Sequence, residues 1–474
     1  MFETRFDCVK YIREMSIDLV DLKLVDLMGR WRHLSVPARK ISEIVIEEGF
    51  GFDASNYGFL SVEKSDMILK PDLETAFEEE WDGVRVLSLI CNAHTTEKGE
   101  PRFLQDPRYI AQKAEEYLEE TGVADEIKIL PEFEFYVFNE VNFNSEPFAS
   151  YFNIKSTAMG WDAGFESSGY GNRPNMGYHA TPPGDTLFTF RNSLVRKLEE
   201  SGVPVKYHHH EVGAPGQVEV EVEFDNLTRM ADHTLLLKYL AHNIAFKSGK
   251  TATFMPKPIE NEPGSGMHVH FKLYKKGRNI FADPDGYSGL SETALHFIGG
   301  ILTHSKGLLA FTNPSTNSYK RLVPGYEAPV SIAYATANRS AAIRIPGYAR
   351  LEDDKRFEYR TPDASCNPYL AFTALLLAGI DGVKKKINPQ KAGFGPYDVN
   401  FFELSCEERK KIKQLPHSLA DALKELEEDH EYLVESGVFP RELIKHWINL
   451  KREREIIPVQ KKPHPYEFVL YYDV

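Results

Sequence analysis

Alternating and amphipathic stretches along the chain predict short strands mixed with helices. Asp18 to Asp26 alternates polar and apolar positions as a half-buried strand does, and Val84 to Cys91 is also typical of a strand. Ile41 to Glu48 is typical of a helix, and Ser418 to Ser436 has the apolar spacing of an amphipathic helix. The pattern indicates a chain in which both kinds of element contribute to the fold.

A polar, turn-rich segment early in the chain predicts a boundary between two domains. Thr95 to Pro101 carries charged residues, Gly and Pro without apolar periodicity. Shortly after it, Asp106 is typical of a helix N-cap, and Gly122 is typical of the end of that helix. We therefore predict one domain over residues 1–104 and a second over residues 105–474.

Two segments do not follow these patterns. Asn139 to Gly177 is rich in Asn, Ser, Gly and Pro with little periodicity. It is too long for an ordinary connection, so we expect a functional flap or an interface loop there. The C-terminus, Phe468 to Val474, is apolar, and we expect it to dock onto a partner because such an end rarely stays in water.

Composition favours an acidic globular protein of the cytoplasm that is large enough to be an enzyme. Its 474 residues carry 56 basic and 70 acidic side chains, and the net charge of −14 argues against a nucleic-acid partner. No apolar run approaches the roughly 20 residues of a membrane span, and the first residues lack an export signal. The cysteines form no CxxC pair and are typical of reduced thiols.

Several strand-like segments place carboxylates on one face. Glu132 and Glu134 alternate with phenylalanines, and because side chains i and i+2 leave the same face of a strand, both carboxylates point one way. Gln217 to Glu223 repeats this arrangement with three glutamates, and Glu211 precedes it by a short turn. The alternation in any one of these segments would also fit a strand whose polar face is solvated. The set favours a cation site, because like charges on one face repel unless a cation compensates them.

Histidines and arginines extend this candidate site. His268 and His270 share a strand face, and carboxylates with imidazoles but no thiolate suit Mg²⁺ or Mn²⁺ better than structural Zn²⁺. The tract His208 to His210 fits either a metal ligand or a packed segment. Arginines gather later in the chain, among them Arg321, Arg339, Arg344, Arg356 and Arg360. Since Arg forks match phosphate and carboxylate oxygens, metal and arginine together indicate phosphoryl transfer from ATP.

Four motifs resemble those of type I glutamine synthetases, and the resemblance covers nearly the whole chain. They are Lys250 to Pro258, Gly264 to His268, Asn317 to Val330 and Asn338 to Ser340. The long segment after residue 139 and the terminal LYYDV resemble the bacterial subtype with an insertion. Phe402 stands about where that subtype carries an adenylylated tyrosine, so the resemblance implies a chain without this covalent control.

The resemblance implies an α+β fold and a large assembly. A small N-terminal β-grasp domain would be followed by a catalytic domain with an open antiparallel β funnel flanked by helices. The chain would form a homo-oligomer, a dodecamer of two stacked hexamers, with each active site between neighbouring subunits. Asp53 would act across that subunit interface.

The resemblance also implies the roles of individual residues. Two or more divalent cations, Mg²⁺ or Mn²⁺, would be bound by Glu134, Glu211 and Glu219 and by Glu132, His268 and Glu358. L-Glutamate would contact Gly264, Arg321, Glu327, Arg339 and Arg360. ATP would contact Lys206, His270, Lys272, Arg339, Arg344 and Arg356. Three residues would be catalytic: Asp53 takes a proton from ammonium, Glu327 shields the intermediate and accepts a proton, and Arg339 clamps the transferring phosphate.

The implied activity is that of a glutamate–ammonia ligase. ATP would activate the γ-carboxylate of L-glutamate as γ-glutamyl phosphate, and ammonia would displace phosphate to give glutamine, with ADP as the other product. Pro263 stands where the family has an Asn that holds the amino acid, Asn56 departs from the motif around Asp53, and Lys206 and Lys272 replace a Glu and a Ser near the nucleotide. Two alternatives stay open: a γ-glutamyl ligase for an organic amine, and a non-catalytic relative of the same fold.

Overall fold

The computed structural model of the chain describes residues 2–59, 65–159, 169–323, 329–398 and 412–474. The predicted positions Glu327 and Phe402 lie outside the described residues. Within the described ranges, no helix combines the length and the apolar character that a membrane span requires.

A mixed sheet with helices on it forms the N-terminal part of the chain. Its elements are α1 (Arg5–Glu14), β1 (Leu19–Val25), β2 (Trp31–Pro37), α2 (Glu43–Glu48), β3 (Phe50–Asp53), β4 (Asp66–Pro71), β5 (Phe77–Trp81) and β6 (Val84–Thr95). The strand order is β2–β1–β6–β4–β3, with β5 beside β6 and β1 parallel to β6. These elements confirm the β-grasp domain and the strands and helix predicted within it.

Apolar residues of β1 and β6 form the core of this part. Leu22 and Leu24 of β1 and Leu89 of β6 are at most 1% exposed and pack with Ile12 of α1. Ser42 begins α2, because its side chain accepts a hydrogen bond from the backbone N–H of the third helical residue. Burial of one face of the sheet therefore fixes the register of this small domain.

A second, larger sheet forms the frame of the remaining chain. The later strands are β7 (Glu126–Phe138), β8 (Glu140–Glu146), β9 (Ala149–Lys155), β10 (Val205–His210), β11 (Gln217–Val222), β12 (Thr251–Thr253), β13 (Met267–Lys275), β14 (Arg278–Asn279), β15 (Ser331–Thr336), β16 (Ala341–Ile345) and β17 (Phe357–Tyr359). Apart from the hairpin β8–β9, they form one sheet of order β10–β11–β7–β13–β17–β16–β15, with β12 beside β7 and β14 beside β13. Its pairs are antiparallel except β15–β16, which is parallel. This open sheet agrees with the predicted funnel.

Helices cover the outer face of this sheet. The later helices are α3 (Pro107–Glu120), α4 (Phe188–Glu200), α5 (Leu227–Lys247), α6 (Glu292–Thr312), α7 (Ser318–Arg321), α8 (Pro368–Lys385), α9 (Leu419–Glu428), α10 (Glu431–Val434), α11 (Arg441–Lys451), α12 (Ile457–Gln460) and α13 (Pro465–Tyr471). Phe133 and Phe135 of β7 and Val218 and Val220 of β11 are fully buried in one core with the apolar faces of α5, α6 and α8. The alternate residues of these strands therefore point to the inner face. As predicted, Asp106 caps α3, and Gly122 follows its end with φ +65°.

Part of the segment predicted as a loop is a hairpin instead. β8 and β9 pair over their whole length, and Phe143 lies opposite Phe152. These residues are therefore strands, and the expected role of the segment as a functional flap or an interface loop stays a prediction, since a hairpin can serve as either. Both rings are exposed.

The C-terminal end lies on the surface of the single chain. Residues 465–471 form α13, and Phe468 is 60% exposed and Val469 73% exposed. Apolar side chains at such exposure favour contact with another surface. Docking of this end onto a partner stays a prediction.

The helix predicted from Ser418 to Ser436 is interrupted at Asp429. α9 ends before this residue and α10 begins after it, and φ −130° at Asp429 is not helical. The carboxylate of Asp429 lies 2.7 Å from Nδ1 of His304, whose Nε2 lies 3.0 Å from Asp381. The ring of Tyr432 stacks on the imidazole at 3.9 Å. A buried histidine between two carboxylates therefore joins α6, α8 and the break after α9.

We predict that this histidine makes stability depend on pH. Burial lowers the pKa of His304, but its hydrogen bonds to Asp381 and Asp429 outweigh burial and raise the pKa above its ordinary value. A raised folded-state pKa gives stability that is complete below the unfolded pKa, about 6.5, and is lost as pH rises through the folded pKa. His304→Gln should therefore lower the melting temperature strongly at pH 6 and less at pH 9, measured by circular dichroism. The exposed His417→Gln is the control, and an equal loss at both pH values would contradict the charge argument.

Candidate active site

Cross-strand neighbours on the inner face of the larger sheet bring the predicted carboxylates together. Antiparallel register places Glu132 of β7 opposite both Glu221 of β11 and His268 of β13. The next inward-pointing pair along β7 and β11 is Glu134 and Glu219. Because opposite residues of an antiparallel pair have neighbouring side chains, these four glutamates lie side by side on one surface.

The inner face encloses a cavity of about 520 Å³. The predicted site residues that line it are Glu132, Glu134, Glu211, Glu219, Gly264, His268, Arg321, Arg339, Arg344, Glu358 and Arg360. Among the described residues the lining contains carboxylates, imidazoles and guanidiniums but no thiol. This donor set suits hard divalent cations.

The first group of candidate metal ligands lies on β10, β11 and the turn between them. His209, Glu211 and Glu219 each place one ligand atom within 4.8 Å of the others. The predicted group contains Glu134 in place of His209. Glu134 is close enough to this group for its charge to raise the pKa of Glu211, and its Oε1 also lies 3.7 Å from Nε2 of His268. It therefore stands between the first group and the second.

The second group lies on β7, β13 and β17. Glu132, His270 and Glu358 each place one ligand atom within 4.8 Å of the others. The predicted ligand His268 faces the same carboxylates, with its Nδ1 3.0 Å from Glu132 and 3.4 Å from Glu358. The structure thus brings both histidines of β13 to one pair of glutamates.

The two groups differ in charge balance. Burial, followed by the charges of nearby carboxylates, raises the pKa of Glu211 to about 8 and the pKa of Glu219 well above its usual range. Burial alone would also raise the pKa of Glu132, yet two imidazoles hold it well below its usual range. Arg360 likewise overcomes burial and holds the pKa of Glu358 at about 2. Negative charge is therefore less compensated in the first group, where a cation would be stabilised most.

Arginines supply positive charge on the other strands. Arg344 donates a hydrogen bond to Glu358 at 2.6 Å, and Arg360 donates to the other oxygen of the same carboxylate. Arg321 is 5% exposed and donates to a backbone carbonyl at 2.7 Å. Gly264 also lines the cavity. Its backbone lies so close to Arg321 that a Cβ at this position would meet the Arg321 side chain. These groups are placed to hold an anionic substrate.

The remaining basic residues predicted to contact ATP lie outside the cavity lining. Lys206 is the extra residue of a β-bulge in β10, and its Nζ lies 2.6 Å from Glu221. Lys272 lies over the ring of Phe224 at 4.4 Å, and Arg356 lies 5.9 Å from the same ring. Lys272 shares β13 with the candidate ligand His270. These residues therefore form a basic region next to the second group of ligands.

Asp53 lies away from the cavity of its own chain. It ends β3, is exposed, and accepts a hydrogen bond from the backbone N–H of Ser55 at 2.8 Å. This contact lowers the pKa of the Asp53 carboxyl. The sheet places Asp66 directly opposite it.

Sequence reasoning missed several residues of the lining. His209 belongs to a tract whose role was left open, so it had a signal. Asn175, Tyr178 and Tyr348 had none, because they lie outside the strands of the sheet, and Gln217 begins β11 without a charged or imidazole side chain that would have marked it. Gln217 donates from Nε2 to the carbonyl of Gly264 at 3.0 Å and so supports the candidate substrate-binding backbone.

The chain is similar to known proteins over its whole length. Residues 16–96 match the family described as glutamine synthetase, beta-grasp domain, and residues 104–471 match glutamine synthetase, catalytic domain. A glutamine synthetase of Mycolicibacterium smegmatis is 46% identical over 480 aligned positions, covering 100% of this chain and 99% of that protein. The cryo-EM structure of Plasmodium falciparum glutamine synthetase is 29% identical with a TM-score of 0.89 and 99% coverage of each chain. A GmaS–ADP complex is 27% identical with a TM-score of 0.81, covering 98% of this chain and 99% of that one.

We predict that Glu211 is required for cation binding. Glu211→Gln keeps the shape of the side chain but removes a negative charge from the less compensated group, so Mn²⁺ affinity should fall at least tenfold. Isothermal titration calorimetry measures this without turnover. Glu120→Gln, an exposed position at the end of α3, is the matched control. Unchanged affinity and stoichiometry in Glu211→Gln would show that this carboxylate is not a ligand.

Proposed function

The chain belongs to the glutamine synthetase family, and we propose in detail how its inner face forms glutamine. The activity is ATP-dependent ligation of ammonia to the γ-carboxylate of L-glutamate. The observation that supports it most directly is the convergence of glutamates, histidines and arginines from six strands on one cavity. Formation of an amide from a carboxylate requires activation, and γ-glutamyl phosphate is the activated species.

The carboxylates and imidazoles of the inner face fit two or more divalent cations, Mg²⁺ or Mn²⁺. Glu134, Glu211 and Glu219 would bind one cation, and Glu132, His268 and Glu358 the other. The raised pKa of Glu211 and Glu219 supports this assignment, because burial and the charges of nearby carboxylates cause it, and a bound cation would offset both. When bound, the cations neutralise charge on the transferring phosphoryl group.

Arginines and backbone groups would orient the other reactants. Arg321, Arg360 and the backbone at Gly264 would hold the carboxylate of glutamate, and Arg339 and Arg344 would hold the phosphoryl group in line for transfer. Lys206, His270, Lys272 and Arg356 would hold the rest of ATP. Glu327, outside the described residues, would shield the acyl phosphate and accept a proton.

We also propose the assembly and the domain division. Asp53 is exposed and lies outside the lining of its own cavity, so it would enter the cavity of a neighbouring subunit. Residues 1–104 and 105–474 would be the two domains, and the apolar C-terminal end would dock onto another subunit of a dodecamer. A cytoplasmic location agrees with Cys8, Cys91 and Cys366, which are buried as free thiols.

A substrate panel tests the proposed nucleophile. Phosphate release with ATP and glutamate should be fastest with ammonium when ammonium, methylamine, ethylamine and a diamine are supplied in turn. An amine that exceeds ammonium tenfold in kcat/KM would favour the ligase for organic amines instead, with Pro263 and Asn56 as candidate causes. Absence of phosphate release with every amine would favour the non-catalytic relative.

Asp53→Asn should lower ammonia-dependent glutamine synthesis by about 10²–10⁴-fold, because the amide can neither attract ammonium nor take its proton. Activation of glutamate by ATP should survive, since its residues lie on the inner face of the larger sheet. Asp66→Asn is the matched control, because Asp66 lies opposite Asp53 on the neighbouring strand. Wild-type synthesis by Asp53→Asn would contradict the proposed role.

Co-expression tests whether two subunits share each site. Asp53→Asn and Glu219→Gln should each be inactive alone. Mixed particles should regain activity, because the intact cavity of one variant meets the intact Asp53 of the other. Purified mixed particles without activity would contradict a shared site, and an active monomer in light scattering would contradict it too.

A further inference from the structure

A histidine near the end of the chain reaches the loop that follows Asp53. Residues 54–59, which we call the Asp53 loop, come directly after Asp53, the last residue of β3. Nε2 of His446, on α11, lies 2.7 Å from the carbonyl oxygen of Gly58 in this loop. Because a carbonyl oxygen only accepts, Nε2 carries the proton and donates the hydrogen bond. The contact therefore suits both the neutral ring with its proton on Nε2 and the protonated ring.

The helix that carries His446 is fixed to the core. Trp447, the next residue, is 1% exposed, and its indole N–H donates to the carbonyl of Ala310 in α6 at 3.0 Å. Its ring also stacks on Phe311 of α6, with 5.7 Å between the ring centres. A backbone held in this way leaves the neighbouring imidazole little freedom, so His446 is a fixed point of attachment for Gly58.

Other contacts attach the Asp53 loop to its own sheet. The backbone N–H of Leu27, in the turn after β1, donates to the carbonyl of Tyr57 at 3.0 Å. The ring of Tyr57 lies 5.3 Å from that of Phe52 in β3. Gly58 has φ +79°, a left-handed conformation that glycine adopts at low cost. Since glycine has many conformations open to it, a partner for the Gly58 carbonyl restricts this turn strongly.

We infer that His446 is a positioning residue for Asp53, an inference that rests on the proposed role of Asp53 with ammonium. The Asp53 carboxylate accepts a hydrogen bond from the backbone N–H of Ser55 at 2.8 Å, so the start of the loop orients it. By holding Gly58 near the other end of the same loop, His446 fixes the direction in which this carboxylate is presented. His446 therefore affects the step that uses ammonium and leaves the activation of glutamate unchanged.

The test compares two nucleophiles on the same acyl phosphate. Ammonium is a cation that must lose a proton before it attacks, whereas hydroxylamine is uncharged at neutral pH and attacks without that step. Formation of glutamine and of γ-glutamyl hydroxamate is measured on the full-length enzyme with ATP, glutamate and Mg²⁺. The variants are His446→Leu, His446→Gln, Asp53→Asn, the double variant Asp53→Asn with His446→Leu, and His430→Leu.

His446→Leu should lower kcat/KM for ammonium about tenfold, because small displacements of a catalytic group are costly. Hydroxamate formation should stay within about twofold of the wild type, and so should KM for ATP and KM for glutamate. His446→Gln, whose side-chain amide can still donate to Gly58, should match the wild type with both nucleophiles.

The double variant tests whether His446 acts through Asp53. If it does, the double variant is no slower with ammonium than Asp53→Asn alone. His430→Leu is the matched control, because Nδ1 of His430 also lies 3.0 Å from a backbone carbonyl, that of Leu426 in α9. Loss of that contact should leave the ratio of the two activities unchanged.

Three results would overturn the inference while leaving the proposed function intact. An unchanged kcat/KM for ammonium in His446→Leu would show that the contact does not position Asp53. Equal losses with both nucleophiles would show that it only stabilises the fold, and losses that add in the double variant would show that His446 acts apart from Asp53. Wild-type glutamine synthesis by Asp53→Asn would instead overturn the proposed role of Asp53, and the inference with it.

Discussion

The structure depends on how like charges are kept together on one face of a sheet. Glu132 and Glu134 share a face with Glu219 and Glu221, and the larger sheet sets them opposite one another. Buried carboxylates without compensation are strongly unfavourable, so a fold that gathers them must supply positive charge or bind it. Histidines of β13 and arginines of later strands compensate one side of the group, whereas Glu211 and Glu219 retain raised pKa values.

The outer face of the same strands makes this concentration of charge possible. Phe133, Phe135, Val218 and Val220 are fully buried against the helices. Each strand thus buries apolar side chains on one face, which stabilises the sheet, and presents carboxylates on the other face. A shift of one residue in register would exchange the two faces, so the core that holds the sheet also fixes the ligand positions. The position of every carboxylate is a consequence of packing on the far side of the sheet.

Among the departures from the implied family pattern, Lys206 and Lys272 lie outside the cavity lining, whereas Pro263 is part of it. Lys206 occupies a bulge of β10 and forms an ion pair with Glu221 on the neighbouring strand β11. Lys272 and Arg356 flank Phe224 beyond the cavity lining. The overall structure nevertheless has a TM-score of 0.89 with a relative of 29% identity.

By itself, the sequence determined which residues share a face, because alternation at i and i+2 is a local property of a strand. It also determined the first strand, the capped helix after Asp106 and the family, whose motifs are contiguous runs. Only the tertiary structure decided which faces meet: that His209 joins Glu211 and Glu219, that both His268 and His270 reach Glu132, and that Tyr348 borders the cavity. The sequence pattern likewise did not predict that β8 pairs with β9 or that the helix breaks at Asp429. These features depend on contacts between residues far apart in the chain, and no local pattern records which distant partner a side chain will find.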